Sequence, residues 1–262
     1  MGEAKRRHKS GLTLRRLAAP SVPKPLAKLV IPAGTGRPTE ELAAHALAIA
    51  ESVRIQTREK LLMGSARGTL ETMFAAIEAA GARAVETFED ALSARITADG
   101  EAHDEMDKVQ CRRGCAFCCH VDVVVTPLEA IRVVAAMRRG DAPDRRAAAH
   151  GPRAKNAPCP LLIDSLCSVY AMRPLACRSL FSTDLAACEA GFFAEGSGGA
   201  PVFVPSLDWP RLLAAGAITG EGAALDDLGL ASHLVELRGA LALADDATIL
   251  RWLNGADVFP RR

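Results

Sequence analysis

The sequence predicts a mainly α-helical protein, with helical flanks around a small cysteine-rich metal-binding module that carries short strands. Three observations lead there. Alanine, the strongest helix former, is abundant throughout. Apolar residues recur at three- and four-residue spacing over long stretches on both sides of the chain's middle. All eight cysteines lie between positions 111 and 188 of 262 residues, so the middle of the chain has a chemistry of its own.

The totals bound the rest. With 49% hydrophobic and 24% charged residues the chain is an ordinary globular mixture, long enough to bury a core without cysteine staples. A net charge of +1 gives no general attraction to nucleic acid, and 4% aromatic residues leave few stacking platforms for single-stranded bases. No leader-like apolar run and no membrane-length apolar stretch is visible. The expected compartment is the cytoplasm, where thiols stay reduced.

Residues 1–38 read as a basic, proline-rich, disordered arm. Six Lys/Arg fall in the first 16 positions and five prolines between 20 and 38. The arm is the one place where contact with RNA or another acidic partner is expected, and it is the part of the chain expected to be dispensable. Residues 39–105 read as a helical region. Thr39 caps a helix whose first turn holds glutamates, and Leu42, Ala46, Ile49 and Val53 share a face. A second helix aligns Leu70, Phe74, Ile77, Val85, Phe88 and Leu92, with Gly81 in the same row as a point of close approach between the two.

The cysteine module spans 106–190. After "CRRGCAFCCH" at 111–120, alternation of Val121, Val123 and Val125 predicts a short strand. "TPLE" at 126–129 supplies a cap, a proline for the first helical position and a capping-box glutamate, Glu129, for a helix that stops near Gly140. Residues 140–158 read as a loop or frayed helix. Two apolar runs flank Asp164-Ser165 as a small hairpin, and Pro174 bends the chain into a short segment ending at Cys177-Arg178. Tyr170, the single tyrosine, is expected in the core. Residues 191–262 open with a Gly-rich linker, then form a helical region around 221–255 that packs on the module through Trp209 and Trp252.

The cysteine spacing is C-x3-C-x2-C-C, followed by three isolated cysteines and Cys188. Thiolates are soft, anionic ligands for zinc and for iron–sulfur clusters. Disulfides require an oxidising compartment to which nothing points. Cys111, Cys115 and Cys118 also have the spacing of radical-SAM enzymes, but the chain after them lacks the alternating strand–helix units of an α/β barrel. Adjacent Cys118 and Cys119 ligate one centre only if the backbone turns sharply between them. His120 is a further possible ligand. Neither "GSARG" nor "GSGG" follows a strand and opens a helix, which excludes a Rossmann reading, and spacing alone picks out no Ser-His-Asp or Cys-His arrangement.

This order of residues resembles a known family. C-x3-C-x2-CC, then "TPLEA", then "CPLL" and "VYAMRPLACR" match the YkgJ-type cysteine-cluster family of zinc- or iron-chelating domains over about 106–181. It is similar too to the cysteine-rich part of flagellin lysine N-methylases, which are thought to carry an iron–sulfur cluster. Carried over, the matched positions are Cys111, Cys115, Cys118, Cys119, Glu129, Cys159, Cys167, Tyr170, Arg173, Pro174, Cys177 and Arg178.

Residues and resemblance together give these expectations. Cys111, Cys115, Cys118, Cys119, Cys159, Cys167 and Cys177 hold metal, in an iron–sulfur cluster of the four-iron type rather than zinc. Arg173 and Arg178 bind an anionic cofactor or substrate, or offset the thiolate charge. Cys188 lies outside the strongest part of the motif, and its loss is expected to matter least. The resemblance raises methyl transfer to a protein lysine as an activity. A zinc-stapled module that binds a protein or nucleic-acid partner through its helical flanks and basic arm is the alternative.

Overall fold

The computed structural model describes residues 13–20, 25–26, 28–32, 35–150, 157–197, 200 and 202–261. Among these, the helices are α1 (Glu40–Ala66), α2 (Leu70–Ala98), α3 (Gly100–Asp107), α4 (Pro127–Arg139), α5 (Arg146–Ala149), α6 (Leu175–Arg178), α7 (Leu185–Ser197), α8 (Asp208–Asp227), α9 (Leu237–Leu243) and α10 (Asp246–Leu253). Four two-residue strands are β1 (Val124–Val125), β2 (Leu162–Ile163), β3 (Leu166–Cys167) and β4 (Val235–Glu236). They pair β1 with β4 and β2 with β3, both antiparallel. The protein is mainly α, as its sequence predicts.

The scaffold is a layer of three long helices. Thr39 accepts the Leu42 N–H at 3.2 Å and opens α1. Leu42, Ala46, Ile49 and Val53 are all buried on the predicted face. A turn through Gly68, whose φ of 73° suits glycine, reverses the chain into α2. There Thr69 and Thr72 cap one another reciprocally. α8 lies on α1 at very short range. A Cβ added to Gly216 or Gly220 would stand 2.3 Å from the carbonyl oxygen of Ala46 or Ala50, so two rows of small residues bring the backbones together. A paired charge locks the far end. Buried Arg54 donates from Nε and Nη2 to the two oxygens of Asp227, each at 2.8 Å.

Gly81 has a different task from the one its sequence position suggests. A Cβ there would meet Arg132 Cδ at 2.6 Å, so its missing side chain makes room for a buried arginine of α4 rather than for α1. α4 begins as predicted, with reciprocal bonds between Thr126 and Glu129, and ends at Gly140 with φ 82°. Buried on most sides, it sits between α2 and the C-terminal helices. Of the predicted valine strand only Val124 and Val125 pair, with Glu236 and Val235. Val121 is exposed because the tight turn at 117–120 runs directly into it.

Helix extends further through the C-terminal third than the sequence predicts. α7 runs into the expected glycine linker, and α8 starts at Asp208, ahead of the expected 221. The indole N–H of Trp209 donates to Glu105 at 2.9 Å, and that of Trp252 to Ala231 O at 3.0 Å, so both tryptophans are buried with partners.

Residues 13–20 fall within the stretch expected to be a disordered arm. They lie extended across the helix ends. Arg15 bonds Asn254 Oδ1 through its backbone N–H at 2.7 Å. Its guanidinium reaches the carbonyls of Leu253, Leu228 and Gly229 at 3.2, 3.1 and 2.8 Å, where a cation suits the C-termini of α8 and α10. Leu17 is buried, and its N–H donates to Ser65 Oγ. Two apolar side chains hidden in a basic stretch carry too little periodicity to be read as ordered. Leu17→Ala is expected to cost about 2–4 kcal/mol, seen as a lowered melting temperature; an unchanged melt would mean that the strap adds nothing. The rest of the expected arm at 1–12, 21–24, 27 and 33–34 lies outside the described residues.

Candidate metal centre

The first cysteines sit on a short irregular turn. Gly114 takes a φ of 87°, and the N–H of Cys115 closes on Arg112 O at 3.0 Å. A single 3₁₀ turn, Phe117–His120, then carries Cys118 and Cys119. The backbone turns sharply enough for the adjacent thiols to meet. Cys118 donates to Cys119, which raises the Cys118 thiol and lowers that of Cys119. Cys119 O accepts the N–H of Cys159 at 2.7 Å, joining this turn to the second group of cysteines.

That second group hangs on the predicted hairpin. Asp164 and Ser165 both have positive φ, 49° and 61°, the pattern of a two-residue hairpin turn. Leu162 pairs with Cys167, and its N–H also donates to Cys159 O at 2.9 Å. Cys177 follows on α6 and is partly buried. Leu175, two residues before it, donates its N–H to Glu129 Oε1 at 2.7 Å, so α4 sets the position of Cys177.

Four of the sulfurs accept a backbone hydrogen bond. Ser182 N–H donates to Cys111 Sγ at 3.2 Å. Backbone groups of Phe117, Leu161 and Val169, each two residues on, bond the sulfurs of Cys115, Cys159 and Cys167 and favour the thiolate. Burial opposes them and is the larger effect, raising the thiols of Cys111, Cys115, Cys159, Cys167 and Cys177. These thiols therefore hold their protons near neutrality, and metal binding would release them. All eight are free of disulfides.

Arg173 and Arg178 lie in the module with unequal freedom. Arg178 binds Glu89 at 2.7 Å and the carbonyls of Arg173 and Ala171 at 2.9 and 2.6 Å, so Nε, Nη1 and Nη2 all have protein partners. Arg173 donates to Cys177 O, and its charge favours the thiolates of Cys118, Cys167 and Cys177. Its guanidinium stacks on Tyr170 with 5.0 Å to the ring centroid. Tyr170 itself is 61% exposed, against the sequence expectation of a core position, because the turn at 170–172 faces outward.

Beneath the thiols lies a buried polar cluster. Glu129 accepts from Leu175 and Thr126 N–H groups, while Glu221 of α8 accepts from Thr126 Oγ1 at 2.7 Å and leaves Oε1 without a partner. Burial and the nearby Glu129 push the Glu221 carboxyl up to about 8, so it is neutral at pH 7. In the unfolded chain the same group ionises at the ordinary glutamate value of about 4.5. The folded state thus binds a proton that the unfolded state releases. Its contribution is full at acid pH and is lost as pH rises through that interval. The melting temperature of Glu221→Gln relative to the parent is expected to rise steadily between about pH 5 and pH 8; a pH-independent difference would remove the neutral carboxyl. Glu129→Ala strands two buried N–H groups, at about 1–3 kcal/mol each. It is expected to lower both thermal stability and the metal retained by the module.

Sequence reasoning placed Cys188, at the start of α7, outside the strongest part of the motif, and it missed the nearby cleft. Its thiol donates to Ser182 Oγ at 3.2 Å, the residue whose N–H bonds Cys111. An open cleft of about 550 Å³ borders Cys115, with Arg112, Arg113, Phe117, His120, Glu189 and Phe192 around it. His120 packs edge-on to Phe192 at 4.6 Å between centroids. Arg112, Arg113, Cys115, Phe117 and His120 belong to the 111–120 stretch, and only the docking of α7 brings Glu189 and Phe192 to them.

Among the described residues, no three His, Cys, Asp or Glu side chains stand close enough to chelate an ion as they are placed. The fit to a metal rests on the donor set: eight free thiols in one module, backbone N–H groups on four of them, and Arg173 beside three. Residues 110–191, under a third of the chain, match the family model CxxCxxCC, described as a "putative zinc- or iron-chelating domain". No curated protein and no solved structure matches the chain. No helix among the described residues is long and apolar enough to cross a membrane.

Proposed function

We propose, from the match of residues 110–191 to this cysteine-cluster family model, that the module holds an iron–sulfur centre through Cys111, Cys115 and Cys118, joined by cysteines of the 159–177 group. The observation that carries the reading is the gathering of eight free thiols by one turn, one hairpin and two helix starts, with N–H donors on four sulfurs. One zinc ion takes four sulfurs, and this module offers twice that. Hydrogen bonds to sulfur and a nearby cation are the means by which a protein tunes an iron–sulfur potential.

The chain's own residues then have defined tasks. Glu129 anchors α6 and so places Cys177. Arg173 offsets thiolate charge. The helices α1, α2, α4 and α8 shield the buried side of the module from water. A bound cluster would supply a one-electron couple or a structural tie. Arg112 and Arg113 at the open cleft give an acidic protein or anionic small molecule a route to the Cys115 side.

Purification of the full chain without oxygen tests this. Brown protein with stoichiometric iron and acid-labile sulfide is the expected result. Colourless protein with tightly held zinc and no sulfide would replace the cluster by a zinc-stapled interaction module. A folded protein free of both metals would end the metal reading.

A further inference from the structure

The open cleft of about 550 Å³ beside Cys115 is lined by two chemistries. One is cationic. Arg112 and Arg113 are exposed on the turn that Gly114 makes with a φ of 87°. Among the described residues neither guanidinium has a hydrogen-bond or ion-pair partner. The other arginines of this region are engaged, Arg178 with Glu89 and two carbonyls and Arg173 with the Cys177 carbonyl. The second chemistry is aromatic. Phe117 and Phe192 stand 5.8 Å apart between centroids with their planes tilted by 50°, and the His120 ring meets Phe192 edge-on at 4.6 Å. Phe117 and Phe192 are only partly buried, so ring surface stays open at the cleft.

The cleft is formed before any ligand arrives. Gln110 N–H donates to Ser182 O at 2.9 Å, and its Oε1 accepts from Leu185 N–H at 2.9 Å, which holds the start of α7 against the cysteine turn. The Phe192 wall therefore needs little ordering on binding, which lowers the entropic cost. Its volume lies within the roughly 300–1,000 Å³ of small-molecule sites. Against the two arginines the lining sets one carboxylate, Glu189. Two cations less one anion leave a surplus of one positive charge, which suits a carboxylate better than a dianion. A guanidinium fork also matches carboxylate geometry.

We infer that this cleft binds a small aromatic carboxylate, with its ring against Phe117 and Phe192 and its carboxylate paired with Arg112 and Arg113. The inference rests on the reading that anions reach the Cys115 side through this cleft, and it stands whether or not the module holds metal.

The test uses the full chain, both as purified and after chelator treatment, with 2-naphthoate as the probe and ligand-observed NMR as the measurement. A Kd of about 1 mM or tighter is expected, as for an ordinary ligand of this size. The neutral isostere 2-naphthamide and the ringless anion acetate should each bind at least about tenfold more weakly. Arg112→Gln with Arg113→Gln should weaken 2-naphthoate at least about tenfold without moving the melting temperature, since both side chains are exposed. Glu189→Gln should tighten it, because the opposing charge is gone. Phe192→Leu should weaken it about threefold or more. In the metal-free chain 2-naphthoate should slow iodoacetamide labelling of Cys115, which borders the cleft, and leave Cys177 unchanged. Equal affinity for 2-naphthoate and 2-naphthamide, or affinity unmoved by loss of both arginines, would overturn the inference. Acetate binding as tightly as 2-naphthoate would leave the anion route and remove the aromatic site. An oligoglutamate peptide that binds more tightly than 2-naphthoate would overturn the small-molecule site in favour of a surface for an acidic protein. The arginine and glutamate variants alter exposed side chains only, so the outcome does not hang on Phe192→Leu folding well.

Discussion

Cys115→Ala is expected to cut the metal retained through chelator dialysis at least about tenfold and to lower the melting temperature of the loaded protein by several degrees. Cys115 stands at the tight turn made by Gly114, accepts a backbone N–H from Phe117 and borders the open cleft. Its thiol is raised by burial, so without metal it adds little beyond a small apolar contact. With metal, the free energy of thiolate ligation becomes part of the folding free energy, because the unfolded chain has no formed site. The measurement is metal content per chain, paired with melts of loaded and stripped protein. The stripped forms should melt alike and the loaded forms should not. Full metal content in Cys115→Ala would remove this residue from the ligands. The motif alone ranks Cys188 last among the eight, whereas its bond to Ser182 ranks it beside Cys111. Cys188→Ala is therefore the informative companion.

Gly216→Val is expected to destabilise the fold by more than about 3 kcal/mol, since overpacking that falls on backbone cannot be relieved by a rotamer change. The added Cβ would stand 2.3 Å from Ala46 O and 3.0 Å from the Ala46 carbonyl carbon. Relief requires α8 to lift from α1, which opens the apolar cluster around Val53, Phe88 and Leu213 and draws away the α6 segment that packs on α8. Chemical denaturation should show a lower midpoint, or the protein should be insoluble. Gly222→Ala on the same helix is the control. Its Cβ would meet only Ser232 O at 3.9 Å, and the substitution should stabilise by up to about 1 kcal/mol through helix propensity alone. Equal stability of the two variants would contradict the close helix contact.

Features whose information lies within a few residues were legible without a structure. Thr39 caps α1, Thr126 and Glu129 form their box, and Asp164-Ser165 turn the hairpin, because each requires only local backbone and side-chain geometry. The α1 and α2 faces were legible for the same reason, as spacing alone fixes which side chains share a side. α8 was not. Its stretch Ala214–Gly222 carries three glycines and weak helix propensity, and the helix persists because Gly216 and Gly220 allow contact with a partner some 170 residues away in sequence. Arg15 and Leu17 were hidden likewise, since their partners at Leu228, Leu253 and Ser65 come from distant helices.

The sequence by itself determined that this is a mainly helical protein with its thiols confined to one module, because helical periodicity and cysteine spacing are written in consecutive residues. Which sulfurs meet was decided only by the tertiary structure. Cys111 reaches the Ser182–Cys188 segment through a bond that spans 71 positions, and Glu129 places α6 and Cys177 from 46 positions away. Such bonds exist only once helices have packed and brought distant backbone donors to buried acceptors that need them.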